Sequence, residues 1–551
     1  VKRWKTLSLL TVGFLIVGFL IVGVWAFQTY WLYIPRLIDN IKHPISPARN
    51  VVWEEAPAAI RARDPRPNIV LIVADDLGFN GLSYRADPIS SEDFGSTPHI
   101  DSIAQSGIAF GQAYSASGTS APSRAGLMTG RYPTRSGFEF TPGPSIVFGM
   151  LTNEYFVEGR SFNPEHYSYP SGTIPDHNSL GMPADVLMLP EVSQQEGYRT
   201  LMIGKWHLGG AAGMRPDARG FDEFVGFMPG FALYSQPEDP NMVEAELEFD
   251  VMDRMFRAVG NFAVVDEEGH RFRPSEYMTD YLTAEALKAV EANRAPPFFL
   301  YLAYNAPHTP LTALQSDYDA LGEIEGHRER VYAAMIRSLD RGVGAILEKL
   351  EERGLEENTI VLFTTDNGGD GNAGLPRVNI PLRGYKASFF EGGVRMPFFM
   401  KWPSAIPAAQ VHAGSVTQMD IFPTLTQAAD ASLPESLELD GQDLLSDHHG
   451  PREIFWRNGQ YRAYRKNDWK LQWLEKSQRI WLFDLANDPF ERNDLAAAMP
   501  HKVEDLMADL RQIDQEQLLS AWLPQLEIPL SVDKTLEEPL QEDDEYIVFT
   551  N

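Results

Sequence analysis

A hydroxyl nucleophile and a cation one helical turn apart stand in Ser120-Ala121-Pro122-Ser123-Arg124, a run that continues to Thr129-Gly130-Arg131. Residues four apart share one face of a helix, so Ser120 and Arg124 are expected on the same side. Pro122 suits a first turn, where its missing N–H costs nothing. A helix start also offers unpaired N–H groups to an anion. The stretch reads as a nucleophile placed where a phosphate or sulfate would sit. Taken alone, Ser-x-Pro-x-Arg is also an ordinary way to open a helix, so the remaining polar residues decide.

Those residues form three chemical sets. Asp75, Asp76, Asp366 and Asn367 offer only oxygen donors, which suits a hard cation such as Ca²⁺ or Mg²⁺ better than a softer metal. Arg124, Lys205 and Lys386 are cations able to neutralise a transferring sulfuryl or phosphoryl group. His207 and His308 are candidates for proton transfer. Each has a plainer reading. An Asp-Asp pair after a strand is commonly a turn or helix cap. Asp366-Asn367-Gly368-Gly369 is a good turn sequence. Lys205, His207 and His308 would pass as loop residues.

The elements that carry them argue against coincidence. Residues 68–74, 200–203, 298–304 and 359–365 are short apolar runs rich in Val, Ile, Leu and Phe, as in strands buried on both faces of a parallel sheet. Helical patterns at 278–293 and 329–353 lie between or beside them. That alternation predicts an open α/β sheet, whose ligands sit beyond the carboxyl ends of the strands. Asp75-Asp76, Lys205 with His207, His308, and Asp366-Asn367 each follow one of these runs, so all are predicted at that edge.

In this order the motifs resemble those of the type I sulfatases of the alkaline phosphatase superfamily. The resemblance runs from about residue 66 to about residue 495. It includes Ala74-Asp75-Asp76-Leu77-Gly78, the Ser120 signature, Gly204-Lys205-Trp206-His207-Leu208-Gly209, Thr365-Asp366-Asn367-Gly368-Gly369, and Lys386 through Glu391-Gly392-Gly393-Val394-Arg395. Trp469-Lys470-Leu471 and Leu482-Phe483-Asp484-Leu485 resemble the family's small C-terminal subdomain. The resemblance implies an α/β fold: an alkaline-phosphatase-like, mostly parallel sheet flanked by helices, with a smaller C-terminal α+β subdomain. It implies one calcium ion on Asp75, Asp76, Asp366, Asn367 and the residue derived from Ser120. It implies oxidation of Ser120 to formylglycine, whose hydrate attacks sulfur. Arg124 would hold that residue, Lys205 and Lys386 would grip the sulfate, His308 with Lys386 would assist the leaving alcohol, and His207 would help expel sulfate. Many members carry cysteine where this chain has Ser120. Serine-type members depend on a radical S-adenosylmethionine maturation enzyme, and an unmodified serine is itself a possible nucleophile, as in the related phosphatases.

Composition narrows the rest. The chain has 551 residues, 44% hydrophobic and 11% aromatic, enough for a large core. Its formal net charge of −29 argues against nucleic acid as a partner, because that binding needs a basic face. With no cysteine there is neither a disulfide nor a thiolate metal site.

Lys2, Arg3 and Lys5 precede residues 7–27, an uncharged run about 20 residues long, the length of a membrane span. Trp25, Tyr30, Trp31 and Tyr33 follow, as at a membrane interface. The basic end predicts an N-terminal transmembrane helix with the catalytic domain outside the cytoplasm. The competing reading is a cleaved signal peptide and a secreted enzyme.

The expected division is an anchor at 1–33, a linker at 34–66, a catalytic domain at 67–440, a C-terminal subdomain at 441–525 and an acidic tail at 526–551. Within it, the acidic stretch 536–545 is expected to be mobile, with docking open to residues 546–549. Residues 137–183 and 231–276 read as long insertions, the second with helical spacing from 243 to 256.

Three functions compete. The first is calcium-assisted hydrolysis of an aryl or carbohydrate sulfate, so the partners would be a sulfated small molecule or glycan. The second is phosphodiester or phosphonate monoester hydrolysis. The third is a silent, membrane-anchored relative. Asn367 stands where two-zinc phosphatases of the superfamily need histidine, which favours one hard cation.

Overall fold

The apolar runs are strands in the computed structural model, which describes residues 31–55, 64–84, 94–156, 162–294, 297–446 and 452–551. The first elements in chain order are helix α1 (Ile34–Lys42), β1 (Asn68–Ala74), α2 (Pro98–Gln105), β2 (Ile108–Tyr114), α3 (Ser120–Thr129), β3 (Arg199–Lys205) and β4 (Glu223–Phe227). Next come α4 (Val251–Val259), β5 (Val264–Asp266), β6 (Arg271–Phe272), α5 (Met278–Ala292), β7 (Phe298–Ala303), α6 (His327–Glu352) and β8 (Thr359–Thr365). They are followed by β9 (Arg395–Met396), β10 (Phe398–Lys401), β11 (Gln410–Thr417) and α7 (Ile421–Ala428).

These strands form an 11-stranded sheet in the order β9-β2-β10-β8-β1-β7-β3-β4-β5-β6, with β11 also paired to β2. Its centre, β8-β1-β7-β3-β4, is parallel throughout. The register brings Ala74 opposite Thr365, and Ala303 opposite both Val73 and Gly204. The carboxyl ends of β1, β7, β3 and β8 are therefore level, as the site requires. The flanks are mixed: β10 runs antiparallel to β8 and β2, and β5 antiparallel to β4.

Every residue of β1 and β8 is buried. Val70, Ile72 and Ala74 of β1 face a core shared with Leu282 of α5 and Leu339 and Val343 of α6. Ile69, Leu71 and Val73 face the opposite core, with Ala125 and Met128 of α3 and Ile421 and Leu425 of α7. Two-sided burial explains the unbroken apolar runs, and each such side chain contributes roughly 1.5–3 kcal/mol.

A second, antiparallel sheet is built from β12 (Glu453–Asn458), β13 (Tyr461–Lys466), β14 (Trp469–Leu474) and β15 (Arg479–Asp484), with α8 (Pro500–Gln515) packed on β13 and β14. The chain ends in β16 (Leu526–Ser531) and β17 (Tyr546–Thr550), an antiparallel pair that also takes up Glu165–His166.

Several expectations change here. The stretch 536–545, expected to be mobile, connects the two strands of this hairpin, with Glu545 paired to Arg383 and Arg479, and residues 546–549 dock as β17. The described part of the expected linker is also structured: α1 packs on α4, and Trp53 is buried, donating its indole N–H to Glu285. The helical spacing from 243 to 256 splits. Met242–Ala245 is a strand, because it pairs with Leu311–Leu314, and the helix begins only at Val251. Among the described residues no helix is long and apolar enough to cross a membrane. The span expected at residues 7–27 lies outside the described residues.

Candidate active site

Ser120 opens α3, as its sequence predicts. Gly130 closes the helix in the left-handed conformation (φ 67°), where an L side chain would be strained. All ten residues of α3 are buried, so the helix is gripped from every side. Ser123 locks it to the end of β8: its hydroxyl lies 2.5 Å from Asp366 O and 2.5 Å from Gln418 Oε1, while Gln418 Nε2 donates to Thr365 O. The nucleophile helix and the Asp366-Asn367 loop thus move as one piece.

Around Ser120 the structure gathers every residue predicted at the strand ends. Ser120 Oγ lies 3.3 Å from Asp75 Oδ1 and 3.3 Å from Asn367 Oδ1. Asn367 Nδ2 donates to Asp76 Oδ1 at 2.7 Å, and Asp366 Oδ1 accepts the Asp76 N–H. Lys205 Nζ meets both oxygens of Asp75 at 2.8 and 2.7 Å. Lys386 Nζ meets Asp76 Oδ2 at 2.6 Å and lies 3.5 Å from His308 Nε2. Three carboxylates and three cations therefore share one buried cluster. Asp76 and His207 both sit in the left-handed region (φ 59° and 60°), a conformation non-glycine residues hold only where surrounding structure enforces it.

Arg124 reaches the carboxylates beside Ser120. Its guanidinium contacts Asp366 (Nε 3.0 Å, Nη2 2.9 Å), Asp75 (3.6 Å), Lys205 O and the Tyr301 hydroxyl. It orders the carboxylates rather than Ser120 itself.

His308 Nδ1 lies 2.5 Å from Thr309 O, so this nitrogen carries the proton and Nε2 keeps its lone pair. The Tyr234 hydroxyl holds the same loop through Asn305 O and His308 O. His207 Nδ1 is buried without a hydrogen-bond partner.

Burial sets the protonation preferences, and neighbouring charges modify them. It pushes the Asp75 carboxyl well up, against Lys205, and lowers the Lys205 ammonium, against Asp75. Burial would also raise Asp76, but Lys386 and His308 hold it below the usual range. Burial would raise Asp366 too, but Arg124 and Lys205 hold it far down. Burial lowers His308 to about 3, aided by Lys386. Burial, then Lys205 and Arg124, lowers His207 well below its ordinary value. Both imidazoles are neutral at neutral pH.

Three site residues are absent from the sequence reading. Asp370 lies 3.8 Å from Lys386 and is pushed up to about 6 by burial; the only signal was an acid shortly after Asp366-Asn367. Phe256 of α4 places its ring 5.9 Å from that of His308 and 4.1 Å from that of Phe231, tilted by 35°. Both aromatics come from the second insertion, and only its length hinted at a role.

The donor set fits a hard cation. The Ser120 hydroxyl has one hydrogen for two acceptors, Asp75 Oδ1 and Asn367 Oδ1, each at 3.3 Å; Asp75 Oδ1 is also served by Lys205 Nζ, and three oxygens so close together suit a hard cation. Asp75, Asp76 and His308 also bring ligand atoms within 4.8 Å of one another.

Known proteins share this arrangement of sequence and fold. The sulfatase family model matches residues 67–431. A model for the C-terminal part of N-sulphoglucosamine sulphohydrolase matches residues 385–517. The N-acetylgalactosamine-6-sulfatase of Canis lupus familiaris is 31% identical over 507 residues, covering 84% of this chain and 88% of that protein. The uncharacterized sulfatase YdeN of Escherichia coli K12 is 28% identical, covering 85% and 89%. The crystal structure of Ps i-CgsB in complex with k-i-k-neocarrahexaose superposes with a TM-score of 0.67 at 30% identity, over 83% of this chain and 95% of that one. With its signature serine, oxygen donors and cations gathered at one sheet edge, the chain belongs to the sulfatase family: it is a type I sulfatase of the alkaline phosphatase superfamily and a sulfuric ester hydrolase.

Proposed function

We propose that the protein removes sulfate from a sulfated glycan, with formylglycine derived from Ser120 as nucleophile and one calcium ion beside it. The observation that carries this reading is the crowding of Ser120 Oγ with Asp75 and Asn367 oxygens, next to Lys205, Lys386 and two neutral histidines. Glycan specificity is supported by a relative named N-acetylgalactosamine-6-sulfatase and by the neighbour bound to neocarrahexaose. Asp75, Asp76, Asp366 and Asn367 would hold the ion, which when bound polarises sulfate oxygens and favours the charged nucleophile. A formylglycine hydrate supplies a second hydroxyl, so that sulfate can leave without water attacking sulfur.

The chain's own residues do the remaining work. Lys205 and Lys386 supply ammonium donors for the sulfuryl oxygens. Arg124 fixes Asp366 and Asp75, and so the donor geometry. His308 keeps Nε2 free beside Lys386, and this pair serves the leaving alcohol. His207, neutral and with an unpartnered Nδ1, is the base that expels sulfate. Phe256, backed by Phe231, lies against one side of the His308 ring. Maturation of Ser120 requires a serine-type radical S-adenosylmethionine enzyme, and residues 7–27 anchor the catalytic domain outside the cytoplasm.

The experiment pairs mass spectrometry of the Ser120 peptide with turnover of sulfated glycans and of an aryl sulfate, with and without a maturation enzyme. Glycan desulfation that tracks conversion of Ser120 is expected. Full multiple turnover with unmodified Ser120 would overturn the formylglycine mechanism, and turnover of the aryl sulfate alone would overturn the glycan assignment.

A further inference from the structure

Helix α1 is turned inside out for a surface helix. Ile34, Leu37, Ile38 and Ile41 fall at the spacing of one helical face. On a globular protein that face should point inward. Here all four are exposed, Leu37 by 61% and Ile41 by 71%, and no residue of α1 is buried. Tyr33 extends the same exposed surface. The polar residues look the other way. Asp39 pairs with Arg271 at 2.7 Å and accepts from Asn261 Nδ2 at 3.4 Å, while Arg36 and Asn40 are half-buried. α1 is therefore fixed to α4 and the β5–β6 hairpin, with its apolar stripe directed away from the protein.

What lies before α1 in the sequence identifies the occupant. Residues 7–27 are uncharged and long enough to cross a bilayer, and Lys2, Arg3 and Lys5 precede them. Only residues 28–33 separate that run from Ile34. Even fully extended they reach about 20 Å, so a chain that leaves a bilayer at residue 27 delivers α1 to its surface. Tyr30, Trp31 and Tyr33 in this connection are the residue types that settle at headgroup level. An outward apolar stripe at that position matches helices that lie in the membrane plane.

We propose that α1 lies in the headgroup layer of a phospholipid bilayer, with Ile34, Leu37, Ile38 and Ile41 towards the acyl chains, so that it fixes how the catalytic domain sits on the membrane. The inference rests on the anchorage proposed for residues 7–27 but makes a separate claim. Its consequence reaches the site, since α1 packs on α4 and α4 carries Phe256 against His308.

The absence of cysteine gives a clean test. Leu37→Cys, Leu519→Cys and Leu15→Cys are each made in the full chain, labelled with an environment-sensitive fluorophore and reconstituted into phosphatidylcholine–phosphatidylglycerol vesicles. Leu519 is 90% exposed and serves as the aqueous reference. The label at 37 should be quenched severalfold more by a shallow lipid-borne nitroxide than the label at 519, and less by aqueous iodide. Equal behaviour at 37 and 519 would overturn the proposal. Protection from iodide without quenching by the lipid nitroxide would also overturn it, and would assign the stripe to a second copy or to residues 7–27 themselves. The label at 15 reports on the anchor separately. If it stays aqueous while 37 is quenched, anchorage fails and α1 docking stands; if 15 is quenched from the bilayer centre while 37 is not, the reverse holds.

Discussion

Of the buried charge clusters among the described residues, two invite comparison, and one of them is built to react. At the sheet edge, Asp75, Asp76 and Asp366 face Arg124, Lys205 and Lys386. At the junction with the second sheet, Lys470 lies between Glu391 (2.8 Å) and Glu491 (3.1 Å). Both are almost wholly removed from solvent, and both contain a left-handed non-glycine residue, Asp76 in one and Glu491 in the other. Burial, charge and backbone strain therefore do not separate them. Hydrogen bonding does. At the junction Glu391 accepts from Lys470 and the Tyr114 hydroxyl, while Glu491 accepts from Gln472, Lys470 and the Glu391 N–H. At the edge, the one Ser120 hydroxyl hydrogen faces both Asp75 Oδ1, which also accepts from Lys205, and Asn367 Oδ1, and the His207 Nδ1 is unpaired. Incomplete pairing is what leaves room for a cation and a substrate.

The comparison predicts opposite behaviour on substitution. Ser120→Ala removes the nucleophile and should lower turnover by about 10⁴-fold or more. It should leave thermal stability nearly unchanged, because Ser120 makes only long side-chain contacts. Assay and melting curve together check this; a large fall in Tm would make Ser120 a structural residue of the junction kind. Lys470→Met should do the reverse. It removes the cation that lies between two buried carboxylates, leaving Glu391 only Arg395 at 3.8 Å, at a cost of about 3–5 kcal/mol. Adding Glu391→Gln and Glu491→Gln should recover much of that loss in denaturant unfolding, and no recovery would show that Lys470 acts by packing alone.

A smaller effect separates the clusters by metal. Calcium at a hundredfold excess over its Kd should stabilise the matured enzyme by about 2.7 kcal/mol. Asn367→Ala removes one oxygen donor but no charge, so it should abolish most of that gain, on top of a metal-independent loss from the missing Nδ2 hydrogen bonds to Asp76 and Gly368 that the melt in chelator reads separately. Asp366 is the poorer probe, because Arg124 depends on it with or without a metal. A calcium response in Asn367→Ala equal to the parent's would remove Asn367 from the ligand set.

How much of this the sequence disclosed follows from where each signal lives. Strands buried on both faces write themselves as apolar runs, so β1 and β8 have the predicted bounds, and the polar residue after each run is a site residue almost by construction of the fold. Parallel pairing levels the strand ends, which is why Asp75, Lys205, His308 and Asp366 could be grouped without a structure. Long-range pairing leaves no local mark. Met242–Ala245 has helical spacing, yet it becomes a strand because Leu311–Leu314 lies alongside. The acidic composition of 536–545 suggested mobility, but Arg383 and Arg479 neutralise Glu545 and the β16–β17 pair on either side holds the stretch at both ends. Arg124 was legible as a cation at the site, but its attachment to Asp366 and Asp75 rather than to Ser120 depends on tertiary geometry.

The smallest predicted effect concerns a carboxyl that belongs to neither cluster. Asp250 caps α4, accepting the Met252 N–H at 2.9 Å and the Tyr155 hydroxyl at 3.0 Å, and it is matched to no cation there. Burial pushes it up to about 7. An unfolded aspartate titrates near ~3.9, so between these values the folded state holds a proton that the unfolded state has lost. Stability must then fall as pH rises through this window, and the penalty is complete above the folded value. Asparagine caps a helix about as well as aspartate and carries no charge. Asp250→Asn should therefore match the parent at the acid end of the window and exceed it increasingly towards pH 8, by a few degrees in Tm at most. Melting curves collected across that range check it. Parallel curves would mean that Asp250 is already ionised in the folded protein, and that the hydrogen bonds at the head of α4 suffice, without a cation, to keep a buried carboxylate charged.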